Sequence, residues 1–181
     1  GLPERSNRTI LHRRRHHGRG SAIRMALRHT RGHVVAIQDA DMAYDPADLL
    51  GAIWPILEEQ AEVVYGSRSM RRGGSHSNNL RGGLSNRMRR IVNRCLTTCS
   101  NLTTGLHLSD LETGHKVFLG DLIRSLPLTE TGSGIDAEIT AKVARAANTV
   151  MEVPTHYSAD LRAPEYARNA RTAMTTLRSL I

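Results

Sequence analysis

The chain has 181 residues, 39% of them hydrophobic, which is enough for one domain with a buried core. No run approaches about 18 consecutive apolar residues, and Arg and His clusters occupy residues 1–20, so we expect neither a membrane span nor a signal peptide. The net charge of +8 favours anionic partners. Cys95 and Cys99 match no zinc or redox spacing and are interpreted as reduced, packed thiols.

The first half of the chain alternates between helical and strand patterns. Gly18, the candidate N-cap Ser21 and the stop residue Gly32 predict a first helix, followed by a strand over 33–38. Asp45 and the following proline start a second predicted helix, which runs to about residue 60, and residues 61–65 form a second buried strand. The apolar residues of this second helix are Leu49, Leu50, Ile53, Trp54 and Leu57.

The second half continues the same alternation after a polar, Gly-rich loop over 69–82. The patterns predict a helix over 83–102, a turn and strand over 110–118, a helix over 136–147, a strand over 149–153 and a final helix from 164. This order predicts an α/β fold with a mostly parallel central sheet flanked by helices.

Two carboxylates, Asp39 and Asp41, stand one residue apart directly after the strand over 33–38. Open α/β sheets bind ligands at the carboxyl ends of their strands. Mg²⁺ and Mn²⁺ are typically held there by one or two carboxylates together with phosphate oxygens. A helix cap and a solvated acid would give the same pair, although Asp45 is available as the cap. The pattern therefore predicts a divalent metal site.

Six segments, in chain order, resemble family 2 glycosyltransferases of the dolichyl-phosphate mannose synthase type. They are GRGSAIR (18–24), QDADMAYDP (38–46), VVYGSR (63–68), DLETGHKVF (110–118), DAEITAKVA (136–144) and EVPTHY (152–157). The resemblance implies a GT-A fold whose first strands are missing, with residues 1–163 as an incomplete catalytic domain. It also implies inverting transfer of a sugar from a nucleotide diphosphate donor, GDP- or UDP-linked, to a polyprenyl phosphate.

The resemblance further implies roles for individual residues. Asp39 and Asp41 would hold Mg²⁺ or Mn²⁺ against the donor diphosphate, where the metal stabilises charge on the leaving group. Arg68 would act with them as a bidentate phosphate clamp. The implied substrate-binding residues are Gln38, Arg81, Arg87, Glu112, Lys116 and Arg162. A solvated basic helix face explains Arg81 and Arg87 equally well, and turn chemistry is the alternative for the segment around Glu112.

Three departures from the family pattern leave a noncatalytic relative open as an alternative. Ala43 stands where some members carry Gln, and residues 158–160 replace a Gly-Arg pair, which makes Arg162 the candidate donor-phosphate arginine. The first strand, with its Pro-x-x-Asn-Glu signature, and the Asp-Gly-Ser turn are absent.

A basic nucleic-acid-binding module is a further alternative, but the few aromatics, such as Trp54 and Phe118, are not interleaved with arginines as stacking platforms. We therefore expect no nucleic-acid partner.

Residues 164–181 form a predicted C-terminal helix of basic amphipathic character, with Arg168, Arg171 and Arg178 among apolar residues. Such a helix is suited to an anionic membrane surface, and packing against the domain is the alternative. We expect a peripheral protein on the cytoplasmic face of a membrane.

Overall fold

The computed structural model describes residue 11 and residues 18–39, 43–70 and 84–158, without the side chains of 84–87, 89 and 90. These ranges contain five helices and four strands. In chain order they are α1 (Arg19–Leu27), β1 (Val34–Gln38), α2 (Asp48–Leu57), β2 (Val63–Ser67), α3 (Leu84–Thr104), β3 (His115–Leu119), α4 (Gly120–Ser125), α5 (Ile135–Ala146) and β4 (Val150–Pro154). Among the described helices, none combines the length and apolarity needed to cross a membrane.

The four strands form one sheet in the order β1-β3-β2-β4. Strand β3 is antiparallel to both of its neighbours, whereas β2 and β4 are parallel. The sheet is therefore mixed: β1, β2 and β4 point one way and β3 points the other. Because β3 is reversed, the carboxyl ends of the other strands meet its amino end, and Gln38 lies opposite His115 in the register.

Helices cover both faces of the sheet. On one face, Val63, Tyr65 and Phe118 pack with residues of α5, including Ile135 and Ile139. On the other face, Val64 and Val117 pack against α2 through its buried residues Ala52 and Ile56. All five residues of β2 are buried, which is typical of an inner strand of a sheet covered on both faces.

Helix α1 starts three residues earlier than the pattern predicts. Gly18 precedes it with φ +85°, a left-handed conformation that favours glycine, and the helix ends at Leu27, well before Gly32. The predicted N-cap Ser21 lies inside the helix, and its backbone N–H donates to the Thr131 carbonyl at 3.0 Å. The amino end of α1 is therefore held by the loop before α5 instead of by its own side-chain cap.

The predicted apolar face of α2 is only half buried. The helix begins at Asp48, after a turn in which Asp45 Oδ1 accepts the Ala47 N–H at 2.9 Å. Ala52 and Ile56 face the sheet, whereas the side chains of Leu50, Trp54 and Leu57 are 72%, 60% and 54% exposed. Helix α4 follows β3 without a break and is not predicted, because a six-residue helix gives too short a periodic signal.

The prediction that Cys95 and Cys99 are packed is wrong. Both lie on α3 as exposed free thiols, because they stand four residues apart on a face of the helix that is turned away from the core.

Candidate active site at the carboxyl end of the sheet

Asp39 immediately follows β1 and lies against the turn before β3. Its backbone N–H donates to the Gly114 carbonyl at 3.2 Å, and its Oδ1 accepts a hydrogen bond from Arg19 at 3.0 Å. A Cβ atom at Gly114 would lie 2.6 Å from the ring of Tyr44 and 2.9 Å from Asp39 Oδ2. The absence of a side chain at Gly114 is therefore what lets Asp39 and Tyr44 approach this turn.

Arg19 connects Asp39 to an ion-pair network behind the site. Its other terminal nitrogen bonds Asp136, and Asp136 Oδ1 accepts from Lys116 Nζ at 2.7 Å. Lys116 Nζ also donates to the Thr113 carbonyl at 2.6 Å. Burial alone would raise the pKa of Asp136, but Lys116 and Arg19 hold it below its usual value. Asp136 therefore remains a carboxylate, and the network carries alternating charges from the core to Asp39.

Arg68 follows β2 and forms a bidentate ion pair with Asp110. Its Nε and one terminal nitrogen donate to the two carboxylate oxygens, each at 2.6 Å, and Asn93 donates to Asp110 at 3.0 Å. Burial would raise the pKa of Asp110, but Arg68 holds it below its usual value. The guanidinium carbon also lies 5.2 Å from the ring centroid of Tyr157, within cation–π range. Arg68 is therefore rigidly placed, with its fork directed at Asp110.

Three aromatic rings close the site on the side of β4. The ring of Tyr44 lies 4.8 Å from that of His115 and 5.1 Å from that of Tyr157, and the backbones of the two tyrosines form a β-bridge. The Tyr44 hydroxyl accepts the Gly114 N–H at 2.8 Å. Burial raises the pKa of Tyr44 to about 12, so the phenol stays neutral at physiological pH.

Glu112 lies in the same turn and is only partly exposed. Burial, and then repulsion by Asp136, raises the pKa of its carboxyl group. Its backbone carbonyl accepts a long hydrogen bond of 3.4 Å from Arg68. This carboxyl group therefore holds its proton more readily than an ordinary surface glutamate.

The structure brings together Asp39, Arg68, Glu112 and Lys116 from the predicted site. Lys116 is completely buried, so its ammonium serves the internal network and does not reach the surface of the site. Gln38 ends β1 with an exposed side chain, and Arg87 lies on α3 with its side chain outside the described atoms. Asp41, Arg81 and Arg162 lie outside the described residues.

Three contributors to the site are not predicted from the sequence. Arg19 and Tyr44 fall within the family-like segments, but the resemblance implies no role for them, and the pattern around Asp110 predicts only a turn. Their contacts join residues distant in the chain, such as Arg68 and Asp110, which periodicity does not report. The described residues contain no cluster of three His, Cys, Asp or Glu side chains close enough to hold a metal.

A mixed sheet with helices on both faces and an acid at a carboxyl strand end defines an α/β protein with a candidate ligand site at that edge of the sheet. Comparison with solved structures agrees: the chain is similar to glucosyl-3-phosphoglycerate synthase from Mycobacterium tuberculosis, crystallised with Mn²⁺, UDP-glucose and phosphoglyceric acid. The TM-score is 0.59 at 20% identity, over 90% of this chain and 53% of that one. This likeness confirms the predicted GT-A fold.

A family model described as Glycosyl transferase family 2 matches residues 3–111, and the chain belongs to that family. It is 26% identical over 141 residues to glycosyltransferase AglJ of Haloferax volcanii, covering 77% of this chain and 44% of the relative. It is also 26% identical over 151 residues to undecaprenyl-phosphate mannosyltransferase of Micrococcus luteus, covering 80% and 58%. The chain therefore spans about half the length of these curated relatives.

Proposed function

We propose that this chain is the catalytic core of an inverting, metal-assisted glycosyltransferase that moves a sugar from a nucleotide diphosphate to a polyprenyl phosphate. The observation that carries the proposal is the Asp39 carboxylate at the carboxyl end of β1, with Arg19 against it. Membership of family 2 supports the reaction class. The likeness to an undecaprenyl-phosphate mannosyltransferase supports a polyprenyl phosphate acceptor.

The residues present fit a divalent metal at Asp39. Its carboxylate is partly exposed, with 17% of the side chain accessible, and it follows directly from a strand end. A hard cation bound to one or two carboxylates and the donor diphosphate suits Mg²⁺ or Mn²⁺, and Asp41 would supply the second carboxylate. When bound, the metal would act as a Lewis acid on the leaving diphosphate. The Mn²⁺ in the mycobacterial structure supports a divalent ion and leaves the choice of metal open.

Charged side chains of this chain would position the reactants and stabilise the negative charge of the diphosphate. Arg19 adds positive charge beside Asp39, where a diphosphate would bind. Arg68 is a second cation at the same edge of the sheet, and because its fork is bound to Asp110 it would contribute charge instead of a bidentate phosphate clamp. Charges that are in place before the reaction cost no reorganisation during it. A phosphate acceptor is already ionised at neutral pH, so positioning and electrostatics are sufficient without a general base. The raised pKa of Glu112 is therefore not required by this mechanism.

The test is transfer of radiolabelled sugar by the full-length protein to polyprenyl phosphate or, as the competing acceptor, to phosphoglycerate. We expect polyprenyl phosphate to be the acceptor, and Asp39→Asn and Asp41→Asn to reduce turnover by about 100-fold or more, as loss of charge stabilisation in a transition state does. Asp121→Asn is the matched control, because the Asp121 side chain is 90% exposed and pairs with Arg124. Normal turnover by both site variants would remove the metal role, and a wild-type protein that binds nucleotide sugar without turnover would favour the noncatalytic alternative.

The proposed acceptor also determines where in the cell this enzyme would work. A polyprenyl phosphate is confined to a membrane, so we infer a peripheral protein on the cytoplasmic face, held to anionic lipid by residues 164–181. The charge of +8 supports this location.

A further inference from the structure

Arg19 lies between two carboxylates that belong to different parts of the fold. One terminal nitrogen donates to Asp39 at 3.0 Å, and the other bonds Asp136, the buried acid at the start of α5. Asp39 is also the described member of the proposed metal pair. A cation that binds Asp39 must therefore share the carboxylate with the guanidinium or displace it.

We propose that Arg19 is a positioning residue that competes with the divalent metal for Asp39 and releases it when an anionic ligand accepts the guanidinium. This inference rests on the proposed function, because it takes Asp39 as a metal ligand. A guanidinium stays charged at every physiological pH, so Arg19 cannot leave Asp39 by losing a proton. Without Asp39 its charge would be balanced only by Asp136, which Lys116 already shares, and the diphosphate of the donor supplies the missing negative charge.

The rest of the network keeps Arg19 in place after Asp39 is released. Asp136 is held by Lys116 at 2.7 Å and keeps its bond to the other nitrogen of Arg19. The start of α1 is fixed as well, since the Gly20 N–H donates to the Gly132 carbonyl at 3.0 Å. One nitrogen therefore changes partner while the helix and the second ion pair stay fixed. Metal and diphosphate would bind together, and metal alone would bind weakly.

The first experiment measures binding of Mn²⁺ alone to the full-length protein, by electron paramagnetic resonance of the free ion. We expect Arg19→Gln to bind Mn²⁺ about fivefold more tightly than wild type, the size of a partly exposed ion pair. Arg24→Gln is the matched control: it removes the same charge from the same helix, but Arg24 bonds the Thr129 carbonyl at 2.7 Å instead of a carboxylate. We expect the control to lie within about twofold of wild type, because distant charges are screened.

The second experiment measures UDP binding at saturating Mn²⁺ by calorimetry, where we expect Arg19→Gln to bind more weakly. A merely structural role for Arg19 would weaken both ligands, so opposite changes identify competition. Arg19→Met serves as a second variant, and thermal unfolding confirms that each variant is folded. Mn²⁺ affinity that is unchanged or lower in the folded variants overturns the inference. Asp39→Asn with unchanged Mn²⁺ affinity overturns the metal site itself, and with it the proposed function.

Discussion

Asp110 and Glu112 lie two residues apart in one turn, yet the pKa values of their carboxyl groups are shifted in opposite directions. Burial disfavours the charged form of both groups. The charge of Arg68, together with its two short hydrogen bonds, outweighs burial at Asp110 and lowers the pKa of that group. Glu112 has no such partner: burial and the negative charge of Asp136 both raise its pKa. One carboxylate therefore stabilises the fold when ionised, and the other opposes it.

Replacing Asp110 by Asn should destabilise the protein strongly at neutral pH. The change leaves the Arg68 guanidinium without its countercharge in a mostly buried setting, at a cost of about 3 kcal/mol. The folded pKa of Asp110 is below its unfolded value, so this contribution is fully present above the unfolded pKa and is lost as pH falls through the folded one. Urea unfolding at pH 7 and at pH 3 measures both effects. An equal destabilisation at both pH values would contradict the pKa argument.

Replacing Glu112 by Gln should leave the stability at pH 7 unchanged or raise it. The folded pKa of Glu112 is above its unfolded value, so its contribution to stability is fully present below the unfolded pKa and is lost as pH rises through the folded one. The variant should therefore differ from wild type most at neutral pH, and the difference should fade in acid. Thermal unfolding across this range tests the expectation, with the exposed Glu59→Gln as control. A clear loss of stability at pH 7 would mean that ionised Glu112 makes a stabilising contact.

At the residue scale, the sequence predicted where Asp39 lies but not what contacts it. The apolar strand before Asp39 and the turn after it are local signals, and they locate a strand end. The contact with Arg19 depends on how α1 is placed over the sheet. The resemblance implies that Lys116 binds substrate, yet Lys116 is fully buried because β3 is an inner strand and Asp136 accepts its hydrogen bond. Burial of a cation depends on a partner that is distant in sequence.

At the element scale, the sequence predicted the strands but not the direction of one of them. The strands predicted over 33–38 and 149–153 occur at Val34–Gln38 and Val150–Pro154. The turn and strand predicted over 110–118 overlap β3, whose antiparallel insertion between β1 and β2 makes the sheet mixed. Apolar patterns report which residues are buried, whereas direction is set by the path of the chain through α3 and the following turn. Strand order was therefore not available from periodicity.

Glycine at position 20 should be essential for docking the start of α1. A Cβ atom there would lie 2.6 Å from the Glu130 carbonyl oxygen, so Gly20→Ala must move the helix away from the loop and carry Arg19 with it. We expect a loss of about 2 kcal/mol, since overpacking costs of order 1–3 kcal/mol. Gly51→Ala in α2 is the control: no atom lies within 4 Å of its Cβ position, and alanine should stabilise that helix by about 0.8 kcal/mol. Urea unfolding measures both, and equal signs would contradict the docking argument.

At the scale of the whole molecule, the described residues leave apolar surface uncovered. Leu50, Trp54 and Leu57 form an exposed stripe on α2, and within the described sheet β1 pairs on one side only, with β3. A free strand edge is normally paired, covered or charged in native proteins. The α2 stripe and the unpaired side of β1 are therefore the two places where the described surface departs from this pattern.

We predict that residues 164–181 attach the whole molecule to anionic membranes. Deleting them from the full-length protein should abolish cosedimentation with phosphatidylglycerol vesicles. Neutralising Arg168, Arg171 and Arg178 together should weaken binding by about 100-fold, at about 1 kcal/mol for each charge near an anionic surface.

Arg145→Gln is the control. It removes one positive charge outside this segment, in the last turn of α5, and should bind anionic vesicles normally. High salt should weaken wild-type binding, because the attraction to anionic lipid is screened. Phosphatidylcholine vesicles separate the charge contribution from the apolar one, which alone should give weak binding. If the deletion variant binds anionic vesicles as well as wild type does, the segment is a packing helix of the domain, and attachment depends on another surface.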